Sequence, residues 1–196
     1  MDTIARAREM PRRYTQTLNA NGGISSNQTS ATESGAQGEE AFLLNDGTVA
    51  LVRLEPLRVD WRAPDGRWTM GTPLPLRGEP VDAKERARIA QQRKENRDEM
   101  RKLGLPAPPE PPIATTLPAL FALRPIALPD GRIALQRRST ASTPAVRYVL
   151  VNRRGTIDGE VTLLPNERIV GFGPRSVYVT FRDDDDVERL RRHPWP

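Results

Sequence analysis

The chain has 196 residues, a formal net charge of +5 and 37% hydrophobic residues, a lean supply that leaves part of it outside any large core. It contains no cysteine, which excludes disulfides and thiolate metal sites, and no run of about 18 apolar residues, which excludes a membrane-spanning helix. Only three of the 30 basic residues are lysine (Lys84, Lys94, Lys102); the arginines are spread from Arg6 to Arg192 among 25 acids, and no nucleic-acid motif accompanies them, which argues against nucleic acid as a partner.

The first eighteen residues, "MDTIARAREMPRRYTQTL", place Arg6, Arg8, Arg12 and Arg13 where a secretory signal needs an uninterrupted apolar stretch, so no export signal is read here. Residues 21–40 hold one sizeable apolar side chain, Ile24, among small and polar ones, and are expected to form a flexible loop. From Phe42 the pattern is strand. Phe42 and Leu44 alternate before "NDG", a tight-turn signal because these residues tolerate positive φ. "TVALV" then runs almost wholly apolar, as a strand covered on both faces does. Leu57, Val59 and Trp61 alternate before the turn "PDG" at 64–66, and Trp68 and Met70 continue beyond it towards "PLP" at 73–75. Residues 42–76 thus make four short strands.

Next comes a different kind of segment. Asp82 fits an N-cap, Glu85 completes a capping box and Gly104 marks a stop, so residues 83–103 are expected to be helical. Ala83, Ala87, Ile89, Ala90, Met100 and Leu103 form a thin apolar stripe, which predicts a surface helix. "PAPPEPP" at 106–112 reads as a stiff connector, and 77–122 as an insertion.

The strand pattern then recurs. "FLLNDGTVALVR" from Phe42 returns 84 residues later as "IALPDGRIALQR" from Ile126. Leu57, Val59 and Trp61 precede Gly66 by the same offsets as Val146, Tyr148 and Leu150 precede Gly155, so 123–165 is a second unit. Residues 166–196 make a third, with strands around Ile169–Phe172, "SVYVTF" and Val187–Arg192, and no fourth. Without the insertion the period is about 40 residues, that of four-stranded propeller blades. The expected fold is all-β: a partial β-propeller of about two and a half four-stranded antiparallel blades with one inserted surface α-helix.

The order of "DG" turns before apolar strands, "DWRAPDG" at 60–66 and the closing "VYVTFRDDDDVER" resembles the last blades of bacterial six-bladed β-propellers of the NHL-like or TolB-like group. The resemblance covers nearly everything from residue 42, and it makes residues 1–20 look like the outer strand of a preceding blade. Six blades need roughly 240 residues, so the chain is expected to be the C-terminal part or half of a longer propeller, or to associate with itself. The resemblance implies a binding or scaffold module for a small ligand, peptide or protein. Its rival is a propeller enzyme, lactonase-like or peptidase-associated, whose catalytic residues lie outside this chain. A third option is an adaptor acting through helix residues Arg93, Lys94, Arg97 and Arg101. The compartment follows the same division: periplasmic or extracellular within an exported propeller, cytoplasmic if Met1 is the true start.

No residue is assigned to catalysis, a cofactor or a metal. The acidic run at 182–186 offers carboxylates to a hard cation, but it lacks the glycine and alternate spacing of a calcium loop and reads as a solvated turn. His193 is the sole histidine, which excludes a histidine triad or cluster within the chain. Arg53 and Arg137 hold equivalent repeat positions, either packing their stems over the next sheet or reaching a channel to bind anions. Trp61 and Trp68 fit packing between sheets. Gly171 and Gly173 read as turn residues, not a phosphate loop.

Overall fold

The computed structural model describes residues 12–18, 24–30, 39–107, 109–121 and 125–195. The first two elements, β1 (Arg12–Leu18) and β2 (Ile24–Ser30), pair antiparallel with each other. This corrects part of the expectation for 21–40. Pairing is carried by main-chain N–H and C=O groups, so a stretch without large apolar side chains can still form a ladder. The outer-strand expectation for 1–20 meets a strand at β1 whose partner is β2; residues 1–11, 19–23 and 31–38 lie outside the described residues.

Three antiparallel meanders follow. The first orders β3 (Glu40–Leu43), β4 (Val49–Leu54), β5 (Leu57–Arg62) and β6 (Trp68–Thr69) side by side. The insertion carries β7 (Glu79–Pro80), helix α1 (Ala83–Lys102) and β8 (Thr116–Leu117). Meander two runs β9 (Ile126–Ala127), β10 (Ile133–Gln136), β11 (Val146–Val151) and β12 (Ile157–Leu163), and meander three β13 (Glu167–Gly173), β14 (Ser176–Arg182) and β15 (Glu188–Pro194).

One turn geometry recurs because the sequence repeats its chemistry. In Leu44–Thr48, Ala63–Arg67, Leu128–Arg132 and Asn152–Thr156 the fourth residue is a glycine with φ between +73° and +91°, and its N–H bonds back to the first residue's carbonyl. Asp46, Asp65 and Asp130 each accept the N–H two residues on, at 3.0 Å, which fixes the turn locally. The acidic run uses the same device at Asp183–Val187, with Asp186 at φ +58° where the others have glycine.

Packing between the meanders follows from the two-residue alternation of the strands. Ala50, Val52, Val59 and Trp61 of meander one face Ile133, Leu135, Val149 and Val151 of meander two. The intervening residues Ala134, Tyr148 and Leu150 face Ile169, Val177 and Val179 of meander three. Meander two is therefore apolar on both sides, which is why "RYVLV" shows no alternation. On the other side of meander one, Val49 and Leu51 are buried as well, at the repeat positions of Ile133 and Leu135. The outward side of meander three is different: Leu190 is 64% exposed and pairs in register with Thr180.

The outer strand of meander one is shorter than the sequence leads one to expect. Pairing of β6 stops at Thr69, Gly71 donates its N–H to Asp60, and the chain rejoins the sheet where Leu74 N–H meets the Leu57 carbonyl. The insertion is closed at its neck by the β7–β8 pair. It ends a little before the predicted boundary of 122, because Leu120 already bridges Arg137 at the edge of meander two and is buried in the core. Helix α1 matches its N-cap and its stop: Asp82 accepts the Glu85 N–H at 2.8 Å, and the Gly104 and Leu105 N–H groups return to the Arg101 and Met100 carbonyls with Gly104 at φ +68°. The expected capping box is only half made, because the Glu85 carboxylate turns to Arg88 and the Ala141 N–H and not to the Asp82 N–H. Ile89 alone of its apolar stripe is buried, against Val81 and Leu117.

Candidate functional site

In an antiparallel meander successive turns alternate between two edges. The glycine turns of meanders one and two share one edge, tied together by Arg153, which reaches Asp46 at 2.7 Å and lies 4.8 Å over the Trp61 ring. Thr48, with Arg153 in support, holds the Asp46 carboxyl below its ordinary pKa. The opposite edge carries the long β10–β11 connection at 137–145, and there the insertion docks.

The docking uses side chains rather than apolar area. Ser142 donates its hydroxyl to Asp82 at 2.6 Å. Glu85, fully buried, accepts the Ala141 N–H at 2.8 Å and a forked pair from Arg88 at 2.5 and 2.8 Å. Arg88 dominates the lowering of the Glu85 pKa; burial opposes it and the Ala141 amide reinforces it. Glu79, at the insertion neck, receives both Arg137 at 2.8 Å and Arg147 at 3.1 Å. The sequence offered the capping box but not these partners, because they lie 56 to 68 residues apart.

Arg53 and Arg137 do occupy equivalent places, and both are engaged by carboxylates. Arg53 meets Glu39 at 2.7 Å and Asp60 at 3.2 Å. Burial works to raise the Asp60 pKa, but Arg58, the Gly71 amide and Arg53 outweigh it and hold the group charged. Neither arginine has a guanidinium left over as a channel anion site of the kind considered from the sequence.

The acidic run turns back on its own strands: Asp183 accepts from Arg189 at 2.7 Å and from two backbone N–H groups, and Asp186 pairs with Arg182. Among the described residues no three His, Cys, Asp or Glu side chains come together. His193 sits in register with Val177 at the outer strand of meander three. Trp61 is buried between meanders one and two, whereas Trp68 is 45% exposed. Gly173 opens the β13–β14 turn; Gly171 lies within β13 beside a register shift.

Two features escaped sequence reading. The proline-rich segment folds back on α1, where Arg93 and Arg97 meet Glu110, and bounds a groove of about 430 Å³ with Met100, Leu103, Pro109 and Pro111. Beside the docked helix, Arg138 lies 5.0 Å over the Phe121 ring with its Nε buried and unbonded. A run of "QRR" gives no hint which arginine finds a carboxylate.

Comparison of this chain with protein-family models, with curated proteins and with solved structures finds no match.

Proposed function

We propose that these meanders are blades of a six-bladed β-propeller of the NHL-like or TolB-like kind, and that the chain serves as a binding or scaffold module. The observation that carries this is meander two, sandwiched on both faces by the meanders that precede and follow it in the chain. A closed barrel would join these strands into one ladder, and they form separate sheets. Two further observations support a ring: the first strands of meanders two and three, β9 and β13, approach one another, and Val49 and Leu51 bury the far side of meander one. The binding edge in this reading is the one bearing the 137–145 connection and the docked insertion, since long connections on a rigid sheet scaffold are where recognition is built. Its partner is a protein, a peptide or a small ligand.

The exposed side of meander three then meets another sheet, from further blades or a second copy. Sedimentation equilibrium of the purified chain is the test. The proposal predicts concentration-dependent association that Leu190→Glu abolishes; a monomer at every concentration, with unchanged circular dichroism, contradicts it.

A further inference from the structure

The half-buried arginines near this docking edge are matched to acids: Arg53 and Arg58 share Asp60, and Arg137 and Arg147 share Glu79. Arg138 breaks the pattern. Among the described residues it alone combines a buried Nε lacking any hydrogen bond with the absence of an ion pair; Arg137 also has an unbonded Nε, but its Nη2 reaches Glu79. The Arg138 guanidinium lies over Phe121, whose ring shields one of its faces from solvent.

The neighbouring charge makes matters worse for it, not better. Burial first, and then the positive charge of Arg88, press the Arg138 pKa below the usual arginine range, with Glu85 compensating only in part. Glu85 has already given both oxygens to Arg88 and the Ala141 N–H. Arg88 keeps Nη1 nearly unused, with a 3.5 Å contact to Gln92, and its side chain is 49% exposed. Arg88 and the connection that Arg138 opens thus meet at one carboxylate, which takes Arg88 and the Ala141 N–H but not Arg138, and both guanidiniums have donors to spare.

We propose that Arg138 and Arg88 form a binding site for a phosphate-type oxyanion, free phosphate or a small phosphate monoester, where the insertion docks on meander two. A guanidinium presents its donors as a planar fork that matches two oxygens of such an anion. The anion supplies the missing negative charge, and Phe121 offers an apolar platform beside it. This goes beyond the propeller reading and stands whether or not further blades complete a ring.

The experiment is a calorimetric titration of the full chain with inorganic phosphate at constant ionic strength, with sodium chloride as the control titrant. Expected is one saturable site per chain, at least tenfold weaker in Arg138→Gln and several-fold weaker in Arg88→Gln, and unaltered in Arg62→Gln. Arg138→Lys, which keeps the charge but not the fork, falls between wild type and Arg138→Gln. Thermal melting checks folding, and phosphate raises the midpoint of wild type but not of Arg138→Gln. Phenyl phosphate binding more tightly than inorganic phosphate points to a monoester over Phe121; equal binding points to free phosphate. No saturable phosphate binding to the wild-type chain, equal competition by chloride, or full affinity in Arg138→Gln overturns the proposal.

Discussion

Gly71 and Gly155 meet backbone against backbone: a Cβ added to Gly155 would lie 2.5 Å from Gly71 Cα, and one added to Gly71 would lie 2.0 Å from the Val59 carbonyl oxygen. Gly155 also has φ +73°. The outer strand of meander one leaves its ladder at this point, and the β11–β12 turn of meander two fills the space.

Gly155→Ala therefore combines backbone strain with overlap against main chain that has no rotamer to yield. Each contributes about 1–3 kcal/mol. The variant is expected to lose about 2–4 kcal/mol, read as a lower urea midpoint at unchanged slope. A loss below about 0.5 kcal/mol, the range of ordinary surface changes, would mean the two meanders do not approach as described. Gly104→Ala makes the comparison, since nothing lies within 4 Å of its Cβ position and only the positive φ costs it.

Glu85 gives a prediction with a pH signature. Its folded-state pKa is depressed by Arg88, with help from the Ala141 amide. A carboxyl with a lowered folded pKa contributes stability above its unfolded value and loses that contribution as pH falls through the folded one. Glu85→Gln should thus be less stable than wild type by about 2 kcal/mol near neutrality, the cost of removing a buried charge from a partner that stays. The difference should shrink once pH drops below the ordinary glutamate value of 4.5. Urea titrations of both proteins between pH 3 and pH 7 decide it; a gap independent of pH refutes the buried-carboxylate account.

Asp186 is the natural experiment among the repeated turns. It holds φ +58° where four other turns have glycine, and its exposed pairing with Arg182 at 2.7 Å is the compensation. Surface pairs of this kind contribute little, no more than a left-handed aspartate costs. Asp186→Gly is expected to be neutral or to stabilise by up to about 1 kcal/mol, unusual for a substitution to glycine. A clear drop in melting temperature would show that the turn depends on the carboxylate.

The parts of this fold legible in the sequence are those set by short-range chemistry. The glycine turns declare themselves because a positive φ and an aspartate two residues before the bonded N–H are local demands. The strand phase shows because side chains alternate by two, so matching Leu57, Val59 and Trp61 to Val146, Tyr148 and Leu150 also matches the faces they bury. Hidden were the features that depend on who arrives from elsewhere. Glu85 looks like a capping-box residue, and whether its carboxylate closes that box on Asp82 or accepts the Ala141 N–H is decided 56 residues away. The early end of β6 reflects Gly155, and the return of the proline-rich segment reflects Glu110 meeting Arg93 and Arg97. Strand β2 went unread because its sequence lacks the alternating apolar residues by which a strand is recognised. The arginines at 137 and 138 are indistinguishable as letters, and only the fold gives one a carboxylate and leaves the other with an aromatic ring.

The central claim is that successive sheets shield one another's faces, and amide hydrogen exchange with site resolution tests it most directly. Protection follows burial and coverage of the ladder. Amides of β10 and β11 in the doubly covered meander should exchange slowest, and those of β15, paired on one side and exposed along most of its length, should exchange orders of magnitude faster. Equal exchange across β10, β11 and β15 would contradict the stacked arrangement.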